Sequence, residues 1–217
     1  MRDVAPTVTT IGRHSPHTPC FITAMVITTM EILFIRHTQV GVTPGLCYGH
    51  TDVPLASEAK QHIQAVLDKL PWVPGASDCV LTSPALRCET MARKLTSNYT
   101  VEPRLREFHF GRWEGKPWAK IPRHEIDAWN ADLKDARPPG GESFSEVQGR
   151  AVAALNEAIA QVPQRLLVIT HGGVIRASMA WFLGLALPDA VRLQIDYGGL
   201  CAVRTDSTQT IVDYINR

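Results

Sequence analysis

Met30-Glu-Ile-Leu-Phe-Ile35-Arg36-His37 is the stretch that decides the fold. It reads as a short, largely apolar strand that delivers a guanidinium and an imidazole together at its carboxyl end. Open α/β sheets place ligand chemistry at that edge. One Arg-His pair carries little weight alone. Downstream, Leu166-Leu-Val-Ile-Thr170-His171-Gly172-Gly173 repeats the arrangement, an apolar strand again ending in a histidine. Together the two runs predict a sheet edge at which His37 and His171 meet.

Outward from these runs, short β-branched segments alternate with helical patterns. Strands are expected over residues 31–35, 78–81, 100–103, 166–170, 192–195, 200–205 and 210–214, and helices over 57–70, 84–97, 144–161 and 174–185. Val147, Ala151, Ala154, Leu155 and Ile159 recur at helical spacing. Such alternation implies an α/β fold, a three-layer αβα sandwich whose mostly parallel central sheet carries helices on both faces. The rhythm breaks from Glu107 to Glu142, where aromatic residues (Phe108, Phe110, Trp113, Trp118, Trp129) precede Pro138-Pro139-Gly140-Gly141. A long irregular excursion in a compact domain is usually functional, so about 107–142 is expected to form a lid insertion.

Composition limits the function classes. The 217 residues can bury a sizeable core, and 45% hydrophobic with 20% charged residues is ordinary for a globular enzyme. A formal net charge of +1 gives no electrostatic case for nucleic acid or an anionic membrane as partner. The five cysteines (Cys20, Cys47, Cys79, Cys88, Cys201) form no CxxC pair, which argues against a disulfide framework and a zinc site and for a reducing, cytoplasmic location. No apolar stretch is long enough to span a bilayer. Residues 1–29 are rich in Thr, Pro and His, with Asp3 as their only acidic residue and only Arg2 and Arg13 supplying positive charge. A transit peptide needs more positive charge. A disordered extension, or one added by an upstream start codon, is expected instead, with the folded domain at 30–217.

Four pieces of sequence suit a phosphate. In Arg36-His37-Thr38, a neutral imidazole can attack phosphorus in line beside a fixed charge. In Ser83-Pro84-Ala-Leu-Arg87, Ser83 reads as an N-cap and Pro84 as the first helical residue, so Arg87 falls in a first turn that already favours anions. A surface pairing of Arg87 with Glu89 or Glu107 is the plainer alternative. In His171-Gly172-Gly173, glycines let backbone approach a ligand, and the helix end lowers the histidine's pKa. Glu107, among aromatic residues, is expected to have a raised pKa and to donate a proton to a leaving alcohol, with Glu114 as competitor for that role.

The order Arg-His, Ser-Pro-x-x-Arg, Glu, His-Gly on alternating β/α elements resembles the histidine phosphatase superfamily, also called phosphoglycerate mutase-like, from Met30 to Arg217. The resemblance implies that His37 is phosphorylated, that Arg36, Arg87 and His171 hold the phosphoryl group, and that Glu107 donates the proton, with no metal or cofactor. Gly172 and Thr43 join the expected phosphate-binding set; Thr43 stands where many members carry a phosphate-contacting asparagine. Thr38 replaces the usual glycine after Arg-His, and Leu55-Ala-Ser-Glu-Ala59 lacks a common turn glycine. The run Gly45-Leu-Cys-Tyr48-Gly49-His50-Thr-Asp52-Val-Pro54-Leu55 is similar to the α-ribazole phosphatase branch, which removes phosphate from α-ribazole 5′-phosphate in assembly of the lower ligand of cobalamin.

A phosphoglycerate mutase must exclude water and bind a second phosphate. Here the lid mixes Arg112, Lys116, Lys120 and Arg123 with Glu114, Glu125 and Asp127. Its aromatic content suits a ring-bearing leaving group. A small-molecule phosphomonoesterase is therefore expected, with a mutase, a broad-specificity sugar or nucleotide phosphatase, or a catalytically inactive phosphate-binding module as alternatives. A homodimer is compatible with the sequence. A metal reading would use His14, His17, His37, His50 and His171.

Overall fold

Residues 29–206 and 208–217 are described by the computed structural model. The expectation for the N-terminal extension lies, apart from Thr29, outside the described residues. Strand β1 (Met30–Arg36) is followed by α1 (Ala59–Leu67), β2 (Cys79–Thr82), α2 (Leu86–Leu95) and β3 (Thr100–Val101). Then come α3 (Arg123–Ala131), α4 (Phe144–Ala160), β4 (Arg165–Thr170), α5 (Gly172–Leu183), β5 (Leu200–Thr205) and β6 (Thr210–Tyr214). The strands form one six-stranded sheet in the order β3-β2-β4-β1-β5-β6. Pairings β3-β2, β2-β4 and β4-β1 are parallel, whereas β1-β5 and β5-β6 are antiparallel.

The alternation along the strands builds three layers. Ile32 and Phe34 of β1, with Leu166 and Val168 of β4, face a core closed by α4 and α5. Leu33 and Ile35, with Leu167 and Ile169, face the opposite core, closed by α1 and α2. The central strands β1 and β4 are buried on both faces, as a sheet covered by helices requires, whereas the edge strands β3 and β6 are largely exposed. A third, smaller cluster of Cys47, Trp113 and Ile121, with Phe110, Trp118 and Trp129 against it, sits in the 107–142 excursion.

Two expectations fail in instructive ways. No strand forms at 192–195, where a 3-10 segment (Leu187–Arg192) runs into irregular chain. Its carbonyls are used by side chains: Leu193 O accepts from Arg176 Nε at 2.8 Å and Ile195 O from Arg36 Nη1 at 2.6 Å. The excursion is also less irregular than expected, because α3 lies within it. Trp113 Nε1 donates to Glu125 of that helix at 2.6 Å, a tie that linear spacing does not reveal. Ser143 and Glu146 form a capping box that starts α4 where the excursion ends.

Candidate active site

β1 and β4 are parallel neighbours with Arg36 paired to Thr170, so the residues that follow them emerge side by side. The His37 amide donates to Thr170 O at 3.0 Å, and the rings of His37 and His171 stand 5.2 Å apart. β2 lies on the other side of β4, and the Ser83 amide donates to Ile169 O at 2.9 Å. Three adjacent strand ends therefore gather Arg36-His37, His171 and the start of α2, which carries Arg87.

His37 is buried, with 1% of its surface exposed. Its Nδ1 lies 2.8 Å from Thr38 O. A carbonyl only accepts, so Nδ1 carries the proton and Nε2 keeps its lone pair. Burial pushes the His37 pKa well below the ordinary histidine value, and the Arg87 and Arg36 charges push the same way against the Thr38 hydrogen bond. The ring is neutral at pH 7. His171, fully buried, is likewise held well below its ordinary value, by burial first and then by His37 and Arg87. Its Nε2 lies 2.7 Å from Ser83 Oγ.

Two guanidiniums flank the histidines. Arg87, 0% exposed, is the second residue of α2 and donates to Gly49 O at 2.8 Å and Thr51 O at 3.2 Å. Asp52 Oδ1 is 3.8 Å from its Nη1. Arg87 is thus tied to the 49–52 loop, not to Glu89 or Glu107. The cap expected of Ser83 falls to Asp52, which accepts from the Leu86 amide at 2.9 Å, while Ser83 turns to His171. Arg36 lies under the Tyr197 ring at 3.9 Å. The Nε groups of Arg36 and Arg87 are buried with no protein partner. A buried cationic N–H without an acceptor is costly, and an anion between the two would remove that cost.

Glycines make room for this crowding. A side chain at Gly172 would begin 3.4 Å from Arg36 Cζ and 3.1 Å from Arg176 Nη1; one at Gly173 would strike Glu107 Oε1. Glu107 sits at the N-terminus of α5, where Oε2 accepts from the Gly173 amide at 3.3 Å. Arg150 of α4 fixes the approach to it by donating to the carbonyls of Arg104, Arg106 and Glu107 at 2.6, 2.6 and 3.0 Å. Glu114, the competing carboxylate, accepts from the amides of His50, Thr51 and Phe110 and from the Thr51 hydroxyl. Burial alone would raise its pKa, but these hydrogen bonds hold it below the usual carboxylate value. It braces the 48–52 loop and has no capacity to spare.

Arg36, Glu107, Tyr48, Tyr197, Trp118 and Arg176 line a cleft of about 670 Å³. Thr43 is exposed on its rim, and Gly172 is the first residue of α5. The sequence reading missed Arg176, Tyr197 and Arg150. Arg176 was within reach, five residues after His171 on a helix that begins at the site; Tyr197 gives no such signal. Among the described residues no group of three or more His, Cys, Asp or Glu side chains is placed to hold a metal. His50 stacks on His109 at 4.6 Å, and His14 and His17 lie outside the described residues. No helix among the described residues is long and apolar enough to cross a membrane.

Residues 32–217 match the family model described as histidine phosphatase superfamily (branch 1). The adenosylcobalamin/alpha-ribazole phosphatase of Escherichia coli is 30% identical over 186 residues, covering 80% of this chain and 89% of that protein. A 2,3-bisphosphoglycerate-dependent phosphoglycerate mutase of Gloeobacter violaceus is 26% identical over 181 residues, covering 76% and 81%. Another relative is named as a metal-independent phosphoserine phosphatase. Among solved structures, the alpha-ribazole phosphatase of Shigella flexneri superposes with a TM-score of 0.76 at 26% identity, covering 87% of this chain and 96% of that one.

Proposed function

The chain belongs to the histidine phosphatase superfamily and is a phosphomonoester hydrolase; from that premise we propose that it works through a phosphorylated His37 and acts on α-ribazole 5′-phosphate in assembly of the lower ligand of cobalamin. One observation carries the reading. A neutral, buried His37 keeps its Nε2 lone pair beside two guanidiniums whose Nε–H groups lack a protein acceptor.

In the first half-reaction Nε2 attacks phosphorus while the ester P–O bond breaks, and Glu107 gives its proton to the leaving oxygen. Charge building on the equatorial oxygens meets Arg36, Arg87 and His171, all in place before the reaction. Water then attacks the phosphohistidine, losing its proton to the Glu107 carboxylate. The P–N bond breaks, and His37 and phosphate are released.

The substrate assignment rests on the relatives named for alpha-ribazole phosphatase activity and on the cleft wall. A mutase needs cations for a second phosphate; Arg112, Lys116, Lys120 and Arg123 are exposed and none of them lines the cleft, which leaves Arg176 as the single cleft-lining cation beside Arg36. A reducing, cytoplasmic location suits the four described cysteines, which are all free. The test is a substrate panel of α-ribazole 5′-phosphate, 3-phosphoglycerate, phosphoserine, fructose 2,6-bisphosphate, nucleoside monophosphates and phosphopeptides. The highest kcat/KM is expected for α-ribazole 5′-phosphate. Preference for 3-phosphoglycerate with mutase turnover would overturn the assignment.

A further inference from the structure

Phosphoryl transfer to His37 needs the substrate to touch His37, Arg87 and His171, yet all three are shut away. His37 is 1% exposed, Arg87 and His171 are 0% exposed, and none of them lines the cleft. An imidazole cannot attack phosphorus that it cannot reach, so a group between the cleft and the nucleophile has to move. Two tyrosines stand there, and both line the cleft. The Tyr197 ring lies 5.5 Å from the His37 ring and 3.9 Å from Arg36 Cζ, and the Tyr48 ring lies 5.3 Å from Arg87 Cζ. Their hydroxyls meet at 2.6 Å. Each ring thus covers one of the two guanidiniums, a favourable placement for a cation, and the hydroxyl pair closes the span between them.

The backbones that carry the two rings are held in place. Gly49 O and Thr51 O accept from Arg87, and the Gly198 amide donates to Arg36 O and His37 O at 3.1 and 3.2 Å. Gly49 lies so close to Phe108 O that any side chain there would collide with it. The side chains are freer. Tyr48 is half-buried, Tyr197 is 38% exposed, and the bond between their hydroxyls is at the surface. Water can replace a surface hydrogen bond at little cost. Rotation of the rings therefore opens a path to His37 while both loops stay where they are.

We propose that Tyr48 and Tyr197 form a gate over the phosphoryl pocket: substrate enters when their hydroxyl pair parts, and the closed pair keeps solvent from His37 and both guanidiniums. The inference rests on His37 being the group that the substrate reaches. Diethyl pyrocarbonate, which acylates accessible imidazoles, tests it on the full chain, with the rate at each histidine followed by fragment mass. His37 should react far more slowly than His124, which is exposed on α3. Tyr48→Phe and Tyr197→Phe keep both rings and remove only the hydroxyl pair. Each should speed modification of His37 by about threefold to tenfold, the range of one ordinary hydrogen bond, at an unchanged urea midpoint. The double variant should gain no more than either single one, because the same bond is lost in all three. Modification of wild-type His37 as fast as His124, unchanged rates in both single variants, or gains that multiply in the double variant would overturn the gate and leave the phosphatase reading standing. Turnover that survives complete modification of His37 would instead strike the nucleophile reading, and the gate would fall with it.

Discussion

His37 and His171 share one pocket, yet their hydrogen bonds suit them to different work. Thr38 O fixes the proton of His37 on Nδ1 and leaves the Nε2 lone pair free, as the proposed nucleophile requires, whereas Nε2 of His171 is occupied by Ser83 Oγ. The two glutamates divide in the same way. Glu107 Oε2 makes one long contact, with the Gly173 amide, and faces the cleft, while Glu114 is consumed by the 48–52 loop. Glu107→Gln is therefore expected to lower kcat by roughly 10²- to 10⁴-fold with KM little changed, the range of a lost general acid. Glu114→Gln should chiefly reduce stability. Steady-state kinetics and urea midpoints on both variants check this, and normal turnover by Glu107→Gln would reassign the acid. Arg36-His37, Arg87 and His171 were legible in the sequence because each sits at a strand end or helix start that the local pattern marks, whereas Glu107 lies in irregular chain and was marked only by its aromatic neighbours. Arg150 was not legible, because its purpose is to hold three carbonyls 43 to 46 residues away in the chain.

Between elements, position comes from β1 and β4 running parallel in register and from α4 bracing the chain that leads to Glu107. Arg150→Ala would strip a donor from the carbonyls of Arg104, Arg106 and Glu107. A stability loss of about 2 kcal/mol is expected, read from the urea midpoint, with a fall in kcat as Glu107 drifts. Gly173→Ala tests the other wall. Its Cβ would press on the end of the Glu107 side chain, which can move, so the fold should persist while kcat drops on the order of 10²-fold. Unchanged kcat in this variant would show that the Glu107 position is not critical. The alternating β/α pattern foretold the layers and most helices within a few residues. It failed at 192–195 and inside 107–142, because there the carbonyls of Leu193 and Ile195 and the indole of Trp113 are satisfied by side chains distant in sequence. Periodicity records local faces, and these ties are not local.

For the molecule as a whole, a net charge of +1 conceals a concentration of cations at one sheet edge, where Arg36 and Arg87 act on two neutral imidazoles and Arg176 stands close to Arg36. Both histidines have folded-state pKa values well below their unfolded value of about 6.5. Between the two values the unfolded chain binds more protons than the folded one. Their contribution to stability is accordingly full above about pH 6.5 and is lost as pH falls from there toward the folded values. Urea midpoints between pH 8 and pH 5 should decline on the acid side, and less so in the double variant His37→Gln/His171→Gln. An identical decline in that variant would place the acid lability elsewhere. The account stands or falls on the covalent step, and rapid acid-free quenching of enzyme mixed with a phosphorus-32-labelled phosphomonoester tests it most directly. Acid-labile label mapped to His37 at up to one equivalent per chain, and absent from His37→Ala, is the predicted result; full turnover with no label on His37 would contradict it.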